Sequence, residues 1–377
     1  MQLFPHQEKF LKNYNGANLL AHEAGTGKTI CACLWLKDGK DGNALTICPK
    51  QVKKKWEEEL IKWGAKSTVV SKEEFKKMEH TQWTAIVMDE ADCLASPLFT
   101  SNRSALSEHM YYLLKEYPTE TLLLTATPIR STPYNLHTLL VFAGHFIPFK
   151  KWRDYFFVLE KRPYNPRQAY YPVSDWRKKI RPVLEKYSDI VLLKDCVDYV
   201  PPATEEKHIK KIKKTDDFEN FFDEHRFEQK DKIKDIKDIG KGYRKVLVVA
   251  YYVEQVEELY KQLSKERECF MLHGGVKNQE ELIQRAQESD ECYIIIQASI
   301  GAGFDLDTFT CAVFASMSYA VRDYVQMKAR IRRIKNLHPV SYHYILHGRC
   351  DMAVLQTINK GKDFIPSEWR YDTPTTT

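Results

Sequence analysis

The sequence has no apolar run approaching the roughly 20 residues that a membrane-spanning helix needs. Its N-terminus, Met1-Gln2-Leu3-Phe4-Pro5, lacks the charged and apolar regions of a signal peptide. The nine cysteines include no Cys-x-x-Cys pair, which argues against a zinc knuckle and against a disulfide framework. Low-complexity sequence is limited to the Thr/Pro tail that ends at Thr377. Excess charge of one sign is also small: a net charge of +6 is compatible with a polyanionic partner but does not require one. Basic clusters at 50–55, 207–214 and 330–335 read individually as solvated helix faces. The expectation is a soluble, intracellular, cytoplasmic protein with reduced thiols and no membrane partner.

At 377 residues the chain suits two medium domains better than one. Residues 17–21, 44–48, 85–88 and 121–124 are short apolar runs bounded by polar or turn residues, and read as buried parallel strands. Between them, 51–62 has helical spacing through Val52, Trp56, Leu60 and Ile61, and Ser71-Lys72-Glu73-Glu74 forms a capping box. The alternation restarts with strands at 246–250, 269–272, 292–297, 311–314 and 340–346, and helices at 253–263, 280–288, 322–333 and 352–359. This pattern predicts an α/β protein of two doubly wound parallel-sheet lobes. The expected divisions are 1–145 for the first lobe, 146–203 for a helical insertion and linker, 204–360 for the second lobe, and 361–377 for a tail. Within the insertion, Trp152, Tyr155, Phe156 and Phe157 read as packing residues more than as a stacking platform for bases.

After the first strand comes His22-Glu23-Ala24-Gly25-Thr26-Gly27-Lys28-Thr29. A glycine-rich turn opening into a helix presents backbone N–H groups and a positive helix end to phosphate oxygens. Lys28 would reach the β/γ-phosphates and the Thr29 hydroxyl would bind magnesium. The strict pattern has glycine where this chain has His22; the plainer alternative is a glycine turn capping an ordinary helix. A later strand ends in Asp89-Glu90-Ala91-Asp92. Adjacent acids at a strand's carboxyl end suit a cation and a water, since charge is costly to bury unpaired. Asp89 would hold magnesium through water, and Glu90 would orient and deprotonate the attacking water. Thr125 and Thr127, in Thr125-Ala126-Thr127-Pro128, could couple this pair to a partner lobe.

In the second lobe, Gly301-Ala302-Gly303-Phe304-Asp305 is another glycine loop after a strand, where backbone can approach a ligand closely. Gln326, Arg330 and Arg333 lie on an expected helix, with the arginines three apart and so on one face. Planar, permanently charged guanidiniums suit a γ-phosphate in its transition state. His338, His343 and His347 read as structural, and Cys31 and Cys33 as core residues.

In order along the chain, Gln7, Gly25–Thr29, Pro49, Asp89–Asp92, Thr125–Pro128, Gly301–Asp305 and Gln326–Arg333 resemble the motifs of superfamily 2 helicases. Ile47-Cys48-Pro49 followed by Trp56-Glu57-Glu58-Glu59, Leu122-Leu123-Leu124-Thr125-Ala126-Thr127-Pro128-Ile129 and Lys245-Val246-Leu247-Val248-Val249-Ala250 are similar to motifs of the SWI/SNF-like DNA translocases within them. The resemblance implies two RecA-like lobes with the insertion between motifs III and IV, and an ATPase using ATP and Mg2+. Gln7 would read adenine, with Gly25, Thr26, Gly27, Lys28, Thr29, Gly303 and Asp305 around the nucleotide. Lys28, Glu90, Gln326, Arg330 and Arg333 would be catalytic, and Thr29 and Asp89 would serve the metal. Nucleic acid would touch Pro49, Lys50, Tyr251, His273, Gly274 and Ser299, mainly through phosphates. The implied partner is DNA, duplex or branched before single-stranded, with RNA less favoured, and the setting replication, recombination or repair.

The chain departs from the pattern at His22, at Ala329 where Gly or Asp is common, and in the short gap between motifs IV and V. That gap implies a minimal motor, of the sort found in phages, viruses and bacteria. Two rivals stand beside it: an RNA helicase, suggested by the literal Asp-Glu-Ala-Asp, and a non-catalytic DNA-binding scaffold with a degenerate ATP fold, suggested by His22.

Overall fold

In the computed structural model, the described residues are 3–12, 18–40, 42–96, 98, 103–129, 132–162, 165–196, 200, 202–210, 232–300, 304–333 and 336–366. The chain divides into two compact units, Met1–Asp198 and Tyr199–Thr377.

The first unit is built on six parallel strands, β1 (Leu19–His22), β2 (Ala44–Cys48), β3 (Thr68–Ser71), β4 (Ala85–Asp89), β5 (Glu120–Leu124) and β8 (Asp189–Val191), in the order β3-β2-β4-β5-β1-β8. The apolar runs make strands because both faces of the sheet are covered. Ile86 and Met88 of β4 enter one core cluster, and Ala85 and Val87 the other. Each Leu or Ile so buried contributes about 1.5–3 kcal/mol. Ser71 caps the short helix Lys72–Phe75 through the expected box, accepting from the Glu74 N–H at 3.1 Å while Glu74 Oε2 accepts from the Ser71 N–H at 2.6 Å.

The insertion is more than helical. Helices Phe149–Phe156 and Trp176–Tyr187 flank an antiparallel hairpin of β6 (Phe157–Arg162) and β7 (Asn165–Pro172). Trp152, Phe156, Phe157, Trp176 and Ile180 are buried in the first unit's core, as packing residues, and Tyr155 is exposed. The chain then returns to the sheet as β8 beside β1, with Ala21 opposite Ile190 and His22 opposite Val191.

The second unit repeats the plan with β9 (Ala203–Lys210), β10 (Lys245–Ala250), β11 (Glu268–Leu272), β12 (Cys292–Gln297), β13 (Cys311–Phe314) and β14 (Val340–His347), all parallel, in the order β11-β12-β10-β13-β14-β9. Ile294 and Ile296 face one cluster, and Tyr293 and Ile295 the other.

Two expectations are corrected. Residues 207–210 of the basic run lie on β9, not on a helix; β9 is an edge strand whose exposed Glu and Lys side chains discourage pairing with another chain. Residues 211–214 lie outside the described residues. The helix expected to reach Arg333 is Val321–Ile331. It stops because Asn336 Nδ2 donates to the Ile331 carbonyl at 2.9 Å and Arg332 leaves helical dihedrals. Arg330 and Arg333 therefore do not share a helix face. Among the described residues no helix is long and apolar enough to cross a membrane.

Candidate functional site

The first unit gathers its candidate residues at one sheet edge. β1, β4 and β5 are parallel neighbours or next-neighbours, so their carboxyl ends release the 23–29 loop, the Asp89-Glu90 pair and the Thr125–Thr127 segment on the same side. Open α/β sheets bind ligands at this edge. The loop needs its glycines: Gly25 and Gly27 have φ of 88° and 83°, a region costly for residues with a Cβ. Gly27 begins α2 (Lys28–Lys37), so the loop feeds directly into a helix N-terminus. A Cβ on Gly27 would come within 2.5 Å of Gln7 Nε2.

Gln7 lies on α1 (Pro5–Lys12), buried, with Oε1 accepting from the Phe4 N–H at 3.0 Å and Nε2 buried without a hydrogen-bond partner. Lys28 Nζ donates to the His22 and Glu23 carbonyls at 2.9 and 3.2 Å, and Thr26 Oγ1 donates to the Glu23 carbonyl at 2.8 Å. Thr29 is half-buried in the first turn of α2.

Asp89 Oδ2 accepts from the Trp56 indole N–H at 2.9 Å, and Oδ1 from the Glu90 N–H at 2.9 Å. Burial, then the neighbouring Glu90 carboxylate, raise the Asp89 pKa, against Trp56, Lys72 and Lys28. Glu90 holds a φ of 49°, uncommon for a residue with a side chain. Its carbonyl accepts from Lys72 Nζ at 3.0 Å, and its Oε2 is buried without a partner. Thr125 Oγ1 accepts from the Thr127 N–H at 3.0 Å, and Thr127 Oγ1 is buried and unpartnered. Pro49 and exposed Lys50 follow β2 at the same edge. Gln7 Nε2 and Glu90 Oε2 are orphaned polar atoms around a glycine loop, an arrangement that fits a nucleotide and its metal.

In the second unit, Tyr251, His273 with Gly274, and Ser299 follow the carboxyl ends of β10, β11 and β12, which are adjacent strands. Gly274 and Ser299 are exposed; the Tyr251 ring packs on Tyr252 and Tyr319 at 4.9 and 4.4 Å. Gln326 is buried on its helix. Arg330 is also buried, its guanidinium 4.8 Å over the Phe304 ring and its Nη1 donating to the Phe304 carbonyl at 2.5 Å. Arg333 pairs with Asp305 at 2.7 Å. The two arginines thus meet on one loop, not on one helix face. Gly301, Ala302 and Gly303 lie outside the described residues.

Several contacts escaped the sequence. Glu23 Oε2 accepts from the Leu193 N–H at 2.8 Å, and His22, fully buried, sets Nε2 2.7 Å from Asp189 Oδ2. Both tie the phosphate-type loop to the far end of the insertion, where Asp189 had no motif to mark it. Trp56 was marked by its spacing after Pro49, but its bond to Asp89 joins residues 33 apart.

Two doubly wound parallel-sheet units, the first with a glycine loop and an acid pair at one edge, define a tandem RecA-like fold. Helicases have this fold, and residues 231–335 match the helicase conserved C-terminal domain. S. cerevisiae Dbp5 bound to RNA and ADP BeF3 is similar to this chain with a TM-score of 0.55 and 16% identity, over 97% of this chain and 90% of that one. The Sulfolobus solfataricus SWI2/SNF2 ATPase core in complex with dsDNA gives a TM-score of 0.43 and 16% identity, over 98% and 94%. No curated protein matches the sequence.

Proposed function

We propose that the chain is an ATP-dependent motor of the SWI/SNF-like kind that moves along DNA in replication, recombination or repair. The observation that carries the reading is the single sheet edge on which Gln7, Lys28, Asp89, Glu90 and Thr127 converge, with three of them holding unpartnered polar atoms.

Gln7 Nε2 would meet the adenine edge, and the N–H groups of the 25–29 turn would hold the phosphates with Lys28. Thr29 and Asp89 would hold magnesium, which supplies charge neutralisation on the phosphates when bound. The Trp56 and Glu90 N–H groups fix the orientation of the Asp89 carboxylate. Glu90 would take the proton of the attacking water at its free carboxylate oxygen. Arg333, and Arg330 behind it, would supply positive charge from the second unit. Pro49, Lys50, Tyr251, His273, Gly274 and Ser299 would line the path of the nucleic acid.

The DNA assignment rests on Trp56 in its place after Pro49. An RNA helicase is the second reading, favoured by the literal Asp89-Glu90-Ala91-Asp92 and by similarity to Dbp5, whose solved structure holds RNA. Phosphate release measured with duplex DNA, single-stranded DNA and RNA separates them, paired with triplex displacement. Duplex DNA is expected to stimulate most and to support displacement; strongest stimulation by RNA would replace the first reading by the second.

A further inference from the structure

We propose that His6, His22 and Cys31 form a binding site for one thiophilic transition-metal ion of the zinc class, directly beneath the phosphate-type loop. One ligand atom from each of the three lies within 4.8 Å of the others. His6 comes from α1, His22 ends β1, and Cys31 lies in the first turns of α2.

The hydrogen bonds determine which nitrogens are available. His6 Nε2 lies 2.9 Å from the Thr26 carbonyl, which can only accept, so this nitrogen carries the proton and Nδ1 keeps a lone pair. His22 Nε2 faces the Asp189 carboxylate at 2.7 Å with the same consequence. Both Nδ1 atoms are buried and have no hydrogen-bond partner, and the His22 side chain is wholly buried. The rings meet edge to face, with centroids 5.9 Å apart. A carbonyl behind one imidazole and a carboxylate behind the other are the outer partners that orient metal-bound histidines.

Burial lowers the pKa of both histidines, which keeps them neutral, and Cys31 is a buried free thiol. Binding therefore displaces a proton: Cys31–SH and M2+ give Cys31–S–M+ and H+. The remaining positive charge is balanced by Asp189, whose charge already acts on both His6 and Cys31. A tetrahedral zinc with bonds of about 2.0–2.3 Å sets its ligand atoms about 3.3–3.7 Å apart, so the three close by up to about 1.5 Å, with water as the fourth ligand.

Among the described residues, the other cluster of this kind, Glu206, His208 and His343, differs in chemistry. There His208 Nε2 lies 3.0 Å from His343 Nδ1, so the rings satisfy each other. The first site exists because His22 stands where the phosphate-loop pattern has glycine. An ion there would join α1, β1 and α2 around the loop whose Lys28 donates to the His22 carbonyl.

The test uses the full chain, reduced and stripped with chelator, titrated with Co2+ as the spectroscopic probe. The expected result is one Co2+ per chain, a thiolate-to-cobalt charge-transfer band, tetrahedral d–d bands, one proton released per ion, and displacement by Zn2+. Cys31→Ala and His22→Gly should each abolish the band, and Cys33→Ala should keep it. If Cys31→Ala fails to fold by circular dichroism, His6→Gln decides, with loss of the tetrahedral spectrum expected. A wild-type chain with no charge-transfer band, or a band unchanged in Cys31→Ala or His6→Gln, overturns the proposal.

Discussion

Along the carboxyl edge of the first sheet, Gln7 Nε2, Glu90 Oε2 and Thr127 Oγ1 are buried without hydrogen-bond partners, whereas in the second unit the guanidinium ends of Arg333 and Arg330 are held by Asp305 and the Phe304 carbonyl, although Arg333 Nε is itself buried without a hydrogen-bond partner. A buried unsatisfied polar group costs about 1–3 kcal/mol, a cost that a ligand's polar atoms at this edge would offset. The second unit instead holds its cations at a set place on a loop. The first edge leaves polar atoms open and the second ties its guanidinium ends to its own loop, a difference that two similar sheets alone would not reveal.

The largest effect that would break this comparison is at Arg333. Arg333→Ala should lower nucleic-acid-stimulated turnover about a thousandfold or more while binding of labelled ATP is retained. Arg333→Lys should recover little, because the ammonium lacks the planar fork. Turnover at the wild-type level would confine Arg333 to its pair with Asp305.

Next in size, Trp152→Ala should cost the first unit about 3–5 kcal/mol through the cavity it leaves. Hydrogen exchange should show lost protection in β4 and unchanged protection in β12. Equal loss in both would mean that the two units unfold as one.

A smaller effect sharpens the account of the acid pair. Trp56→Phe keeps the ring's bulk but removes the N–H on Asp89 Oδ2. The Mg2+ concentration for half-maximal turnover should rise about 10- to 100-fold, as for other outer partners of metal ligands. An unchanged requirement would make the indole a packing residue only.

The smallest effect concerns the capping box at the end of β3, next to Lys72, which donates to the Glu90 carbonyl. The Ser71 N–H and Lys53 hold the Glu74 pKa down to about 2. A depressed carboxylate stabilises the fold above its unfolded pKa and loses that contribution as pH falls towards the folded value. Urea midpoints of wild type and Glu74→Gln should therefore differ at neutral pH and converge as pH falls from about 4.5 to about 2. A constant offset across that range would contradict the assignment.

Much of the fold was legible because fully buried strands are short, apolar and bounded by turns: β2, β12 and β13 fall where the apolar runs predict them. β8 and β9 were not, since Asp189-Ile190-Val191 is too short to carry a period and β9 is an exposed, largely polar edge strand with no apolar run. The glycine loop and acid pair were legible as motifs because phosphate chemistry demands fixed spacing. The contacts of His22 with Asp189, Trp56 with Asp89 and Arg330 with Phe304 were not, because each joins residues distant in sequence, which only the folded sheets bring together. Helix termination at Ile331 depended on Asn336, a cap contributed from five residues beyond.

The first unit's edge is proposed to hydrolyse ATP in response to nucleic acid. Phosphate release by the wild-type chain and by Lys28→Ala, each with and without duplex DNA, tests it most directly. Hydrolysis that DNA stimulates is expected in the wild type, and its loss in Lys28→Ala. Equal rates in the two proteins, or no phosphate release from either, would contradict it.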